Sequence, residues 1–242
     1  QVGSGNSSVA PSVSVRVVSS VGMSSRLSSL RAAISTSCAP AIAARTRTAR
    51  ILVSALILPL HDPIELAEDM AVLDLLSAGR VSYVTAVGYR PEEYAMYGIP
   101  FAERGRRMEA GLETLRKAWT GEPFEYQGRR VQVTPKPFSP GGPGLVMGGN
   151  SEIAARRAAR FGMGMISQGS NPAISEIYAA ECRKLGREPG FCANPPADTV
   201  TAAFFAEDPD RAWRELGPYL LHDARAYADW MGESHVSASK SS

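Results

Sequence analysis

From residue 51 onward the chain alternates two kinds of apolar block, and that alternation predicts its elements. Ile51–Leu58 is almost continuously apolar, as a strand covered on both faces requires. Asp62 then stands at an N-cap position, with Pro63 at the first helical position and Glu65 three residues after the Asp. Leu66, Met70 and Leu73 form one helical stripe, and Gly79 supplies the stop. Val81–Val87 reads as a second buried strand, so the stretch is a βαβ unit.

The pattern continues. A loop, Gly88–Pro100, leads into a helix over Phe101–Trp119 whose buried face carries Met108, Leu112, Leu115 and Trp119. Arg104, Arg106 and Arg107 crowd its first turn, where the helix dipole favours anions. They are either solvated or paired, and Glu103 and Glu109 are adequate local partners. Glu122–Pro135 reads as a hairpin turning at Gln127-Gly128, and Pro137–Pro143 as a loop. Gly144–Gly148 is a short strand; Gly149-Asn150-Ser151 leads into a helix, Glu152–Phe161, stopped by Gly162. Met163–Gln168 is the next strand, and Asn171-Pro172 caps a helix ending at Gly186. Thr199–Ala206 follows as a strand, then Asp208-Pro209 and a helix carrying Trp213, Leu216 and Leu220. Such alternation means a parallel α/β sheet, either a (β/α) barrel or an open doubly wound sheet.

Composition removes several function classes. A chain of 242 residues with 44% hydrophobic content can bury a full core. A formal charge of +2 gives no global field for nucleic acid. No apolar run approaches the roughly 20 residues of a membrane helix. Cys38, Cys182 and Cys192 are scattered without a CxxC, and His61, His222 and His235 have no ligand spacing, so no disulfide framework or metal site is expected. The expectation is a soluble, cytoplasmic α/β protein without a structural metal. The charge is uneven, however. No Asp or Glu precedes Asp62, and the first 45 residues are rich in Ser and Arg. That segment reads as low-complexity or disordered: a transit peptide, a disordered tail, or codons out of frame. Residues 233–242 look like a second disordered tail.

The chemistry should sit at strand ends. Gly148-Gly149-Asn150-Ser151 puts two glycines, an amide and a hydroxyl ahead of a helix, either an anion site or a tight βα turn with an Asn cap. Val87-Gly88-Tyr89 ends another strand; Gly88 either admits a flat ring or is an ordinary loop glycine. Ser54-Ala55 are small residues in a bulky strand and leave room for a ring system. His61 is the weak catalytic candidate, a proton donor or substrate contact if it is not simply structural. Neither GxGxxG nor GxxxxGK[ST] occurs, and no nucleophile–base pair points to covalent hydrolysis.

LILPLHDPIELAEDMAVLDLLSAGRV and GYRPEEYAMYGIPFAERGRRMEAGLETLRKAWTG strongly resemble the luciferase-like flavin- or deazaflavin-dependent oxidoreductases. VMGGNSEIAARRAARFGMGM and FFAEDPDRAWRELGPYLLHDARAYADW continue the resemblance in order, from roughly Arg50 to Trp230. It implies a TIM barrel with flavin mononucleotide (FMN), or deazaflavin coenzyme F-420, across its C-terminal mouth. It also implies an enzyme that passes a hydride or uses reduced flavin and oxygen on a small organic substrate. By position, Ser54 and Ala55 match the third-strand segment behind the flavin ring, where the family often has a bulge or non-prolyl cis peptide. Val87, Gly88 and Tyr89 match the end of the fourth strand, and Gly148, Gly149, Asn150 and Ser151 the phosphate turn after the fifth. Some relatives carry an Arg to the phosphate at the position of Val87.

The resemblance begins at the third barrel strand and lacks the last. The expected architecture is therefore an incomplete (β/α)8 barrel of about five βα units over residues 46–232. A truncated or mis-framed chain, a homodimer, and a non-catalytic flavin-binding subunit or inactive fragment are further expectations.

Overall fold

The computed structural model describes residues 14–18, 38–167, 171–196 and 205–238. Among these residues six strands form one parallel sheet: β1 (Ser14–Val18), β2 (Arg50–Ile57), β3 (Val81–Ala86), β6 (Gly144–Gly148), β7 (Gly164–Ile166) and β8 (Cys192–Ala193). β4 (Phe124–Tyr126) and β5 (Arg129–Val131) make a separate antiparallel hairpin. Its turn residues, Gln127 and Gly128, both have positive φ (50° and 73°), the geometry a two-residue hairpin favours.

In the parallel sheet each strand joins the next one along, β1-β2-β3-β6-β7-β8, and the order never reverses. A doubly wound sheet reverses at its switch point. An unbroken order is that of a barrel wall, whose crossovers lay their helices on one side. Those helices are residues 38–45 (α1), α2 (Pro63–Ser77), α3 (Pro91–Met96), α4 (Arg104–Ala118), α5 (Glu152–Arg160), α6 (Ala173–Lys184) and α7 (Pro209–Ala238). The core lies between sheet and helices: Ile51, Val53, Tyr83, Met147 and Met165 belong to one buried cluster with Met70, Leu112, Leu115, Ala158 and Ile174.

Local chemistry explains the elements. Asp62 accepts a hydrogen bond from the Ile64 amide at 2.8 Å, capping α2 as its sequence requires. The helix stops at Ala78, which is left-handed (φ 51°), one residue before the expected Gly79. Asp74, fully buried near the end of α2, accepts from the Ser139 amide (2.6 Å) and hydroxyl (3.1 Å), fastening the Pro137–Pro143 loop. Asp74→Ala strands both Ser139 donors, so the urea midpoint should fall by the equivalent of about 2 kcal/mol.

The described residues bear on four expectations. The segment over residues 1–45 contains the β1 strand and the helical residues 38–45, whose Ala39 and Ala43 are core residues. Periodicity was too short there to reveal either. The predicted tail at 233–242 begins inside α7, which runs to Ala238. The strand expected at Thr199–Ala206 lies mostly outside the described residues, and its described end, Phe205-Ala206, is exposed and not a strand. β8, at Cys192–Ala193, pairs with β7; two residues between polar and proline-rich stretches carry no period. Finally, Glu109 bonds Arg157 (3.0 Å) and Arg160 (2.6 Å) on α5, not the arginines of its own helix. A salt bridge from Arg106 to Glu103 (2.7 Å) is the local pair that does form.

Candidate functional site

The C-terminal ends of β2, β3, β6 and β7 lie side by side. Ile57 is in register with Ala86, Thr85 with Met147, and Gly148 with Ile166. The loops that leave these ends carry every candidate site residue except Gly148, the last residue of β6, and Ser54 and Ala55, which sit just below the edge in β2. Strand order thus brings together residues that are up to about a hundred positions apart in sequence.

In β2 the buried core side chains are Ile51 and Val53, then Leu56, with Leu58 following in the 3-10 turn beyond the strand. The period of two breaks between Val53 and Leu56. The register against β3 shifts at the same place, from Ser54↔Val84 to Leu56↔Thr85. Ala55 is the inserted residue and stays exposed, while Ser54 is buried. The Ser54–Ala55 peptide is cis, as the resemblance implies for this segment.

Gly88 follows β3 with φ of 73°, and a Cβ there would lie 3.0 Å from Ile57 Cγ2. Its glycine therefore answers to backbone conformation and to packing on β2. Tyr94 of α3, fully buried, donates its hydroxyl to the Val87 carbonyl and meets Phe101 edge-on (5.3 Å, 82°). Burial pushes that hydroxyl's pKa up, so it remains a donor. Val87, Gly88 and Tyr89 are all half-buried. Sequence reading missed Tyr94, which shapes their loop from below.

At the end of β6 a Cβ on Gly148 would lie 2.9 Å from Val84 Cγ1, so strand packing alone requires a small residue. The Gly149 amide donates to the Ile166 carbonyl at 3.1 Å. It is therefore committed to β7 rather than to a ligand. The donors move on along the chain. Ser151 caps α5, its Oγ accepting from the Ala154 amide at 3.2 Å. The amides of Glu152 and Ile153, the first two of the helix, are orphan donors of a helix N-terminus. Asn150 and Ser151 are exposed beside them. Asn150 Oδ1 accepts the hydroxyl of Ser167 at 2.8 Å. Ser167, buried just after β7, was also missed; its signal was the polar pair Ser167-Gln168 ending an apolar strand.

His61 follows the 3-10 turn Leu58–Leu60 at the end of β2, its amide donating to Leu58 O at 3.1 Å. Arg107 Nε holds the same turn through Pro59 O at 2.9 Å, so this arginine is neither solvated nor paired with an acid at that nitrogen. Burial lowers the His61 pKa from 6.5, against the raising influence of Glu65 and Asp69. The unfolded chain therefore binds a proton at this site more readily than the folded one. Stability from this group is complete above about pH 6.5 and is lost as pH falls below it, through the lower folded value. His61→Gln should flatten that acid-side loss in denaturation midpoints compared between pH 7 and pH 5.

Among the described residues no group of His, Cys, Asp and Glu could hold a metal ion. No described helix is long and apolar enough to cross a membrane.

A family model described as luciferase-like monooxygenase matches residues 25–241. An uncharacterized protein of Mycobacterium tuberculosis is 32% identical over 155 residues, covering 62% of this chain and 53% of the relative. An FMNH2-dependent dimethylsulfone monooxygenase of Pseudomonas putida is 28% identical over 146 residues, covering 54% of this chain and 40% of that enzyme. The chain thus spans about half the length of the curated relatives it matches. Among solved structures, the oxygenating constituent of 3,6-diketocamphane monooxygenase from P. putida, in complex with FMN, superposes with a TM-score of 0.64. It is 17% identical, and the match covers 95% of this chain and 79% of that one. The likeness bears on fold alone.

Proposed function

This chain belongs to the luciferase-like monooxygenase family, and we propose that it serves as a flavin-dependent oxidoreductase acting on a small organic substrate. We take FMN rather than a deazaflavin as the cofactor, because the dimethylsulfone relative is FMNH2-dependent and the diketocamphane neighbour binds FMN.

One observation carries the reading. The turn after β6 carries a run of neutral donors: the Asn150 side chain, the Ser151 hydroxyl and the first amides of α5. It lies at the same sheet edge as the Ala55 bulge and Gly88. That donor set fits a phosphate, since N–H groups and the positive end of a helix dipole favour a dianion without needing a lysine or arginine. The one carboxylate in the first turn, Glu152, is drawn toward Arg156 at 3.6 Å. Val87 leaves no arginine at the position where some relatives have one, which increases the share of these donors.

In this reading Asn150, Ser151 and the Glu152 and Ile153 amides hold the phosphate. Exposed Ala55 and half-buried Gly88 present small surfaces to a flat ring. His61, whose burial favours the neutral imidazole, stands at the rim as the candidate contact to substrate. When bound, the flavin supplies hydride transfer or, reduced, reaction with oxygen. Equilibrium dialysis tests the proposal. FMN should be retained at least about tenfold more tightly than riboflavin, which lacks the phosphate, as roughly 1.4 kcal/mol of phosphate contact requires. Equal retention, or none, rejects it.

A further inference from the structure

Asn150 is exposed, and a free asparagine amide can present either its oxygen or its amino group to a ligand. Here one end is assigned. Ser167, buried at 3% exposure, donates its hydroxyl to Asn150 Oδ1 at 2.8 Å. The backbone of Ser167 is itself fixed, its amide donating to Ala193 O on β8 at 2.8 Å. The neighbouring Gly149 amide is tied to Ile166 O, so both chain segments that meet at this contact are anchored in the sheet.

We propose that Ser167 is a positioning residue for phosphate recognition, holding the Asn150 amide so that its Nδ2 protons, not its oxygen, face an anion. The inference rests on the phosphate reading given above. A dianion beside Oδ1 would be repelled, whereas beside Nδ2 it gains donor hydrogen bonds. The serine reaches the anion through Asn150. Its deletion should therefore affect a phosphate-bearing flavin and leave a flavin without phosphate alone.

The experiment measures dissociation constants for FMN and riboflavin with the full chain, Ser167→Ala, Asn150→Ala and the double variant. Ser167→Ala should weaken FMN about 3- to 10-fold, the scale of one hydrogen bond, with riboflavin changed less than about twofold. Added to Asn150→Ala, it should have no further effect on FMN. An equal loss for both flavins, or a loss that adds fully to that of Asn150→Ala, overturns the positioning role. Because Asn150 is exposed, Asn150→Ala keeps the cycle readable even if the buried substitution perturbs packing. If the unaltered chain shows no preference for FMN over riboflavin, the phosphate reading itself fails, and that outcome is distinct from an unresponsive Ser167.

Discussion

Arg80→Ala should lower the unfolding free energy by about 2–4 kcal/mol, the largest stability loss expected from a single substitution at a polar side chain here. The guanidinium of Arg80, at the start of β3, closes the C-terminal end of the helical residues 38–45. Its Nη1 donates to Thr46 Oγ1 (3.0 Å) and Ala49 O (2.8 Å); its Nη2 donates to Ala43 O (2.9 Å) and Thr46 O (3.0 Å). Three of the acceptors are carbonyls at a helix end and in the link to β2, where no intrahelical donor reaches. One planar fork satisfies all four, which a lysine cannot imitate. Arg80→Lys should therefore recover only part of the loss. Urea midpoints check the magnitude. Limited proteolysis checks the location, because cleavage near residues 46–48 should accelerate before cleavage in α4 does.

Asn150→Asp should separate cofactor binding from folding by moving them in opposite directions. The substitution keeps an oxygen to accept from Ser167 and preserves shape. It replaces the Nδ2 donor with negative charge beside the start of α5. Charge of that sign near a helix N-terminus is mildly stabilising, by about 0.3–1 kcal/mol, so the midpoint should rise or hold. A bound phosphate would instead meet a like charge and lose a donor. FMN affinity should fall about 30-fold or more, equivalent to roughly 2 kcal/mol, while riboflavin affinity stays unchanged. Parallel denaturation and flavin titration of one preparation read both effects. A variant that is less stable and binds both flavins worse would mean that Asn150 acts only in the turn.

Much of this fold was legible because its signals are local. Asp62, Pro63 and the stripe through Met70 specify α2 by themselves, and Gln127-Gly128 specifies the hairpin turn. The candidate site was legible as a set of strand ends, because a parallel sheet places its loops at one edge. What stayed hidden depends on partners distant in sequence. Arg80 reaches residues over thirty positions away, and Glu109 pairs with Arg157, 48 positions away. Neither choice is visible in spacing. The glycines carry a second constraint that sequence does not show. Gly148 and Gly88 answer to packing as well as to any ligand, because Val84 and Ile57 fill the space a Cβ would take. The Gly149 amide is used in parallel pairing with β7, which spacing does not show. Short elements such as β8 lack enough residues to show any period, so only the sheet reveals them.

A crystal structure of this chain soaked or grown with FMN addresses the central claim most directly. The phosphate should lie within hydrogen-bond reach of Asn150 Nδ2 and the Glu152 amide, with the ring extending toward Ala55 and Gly88. A phosphate bound away from the start of α5, or a ring on the helical side of the sheet, would contradict it.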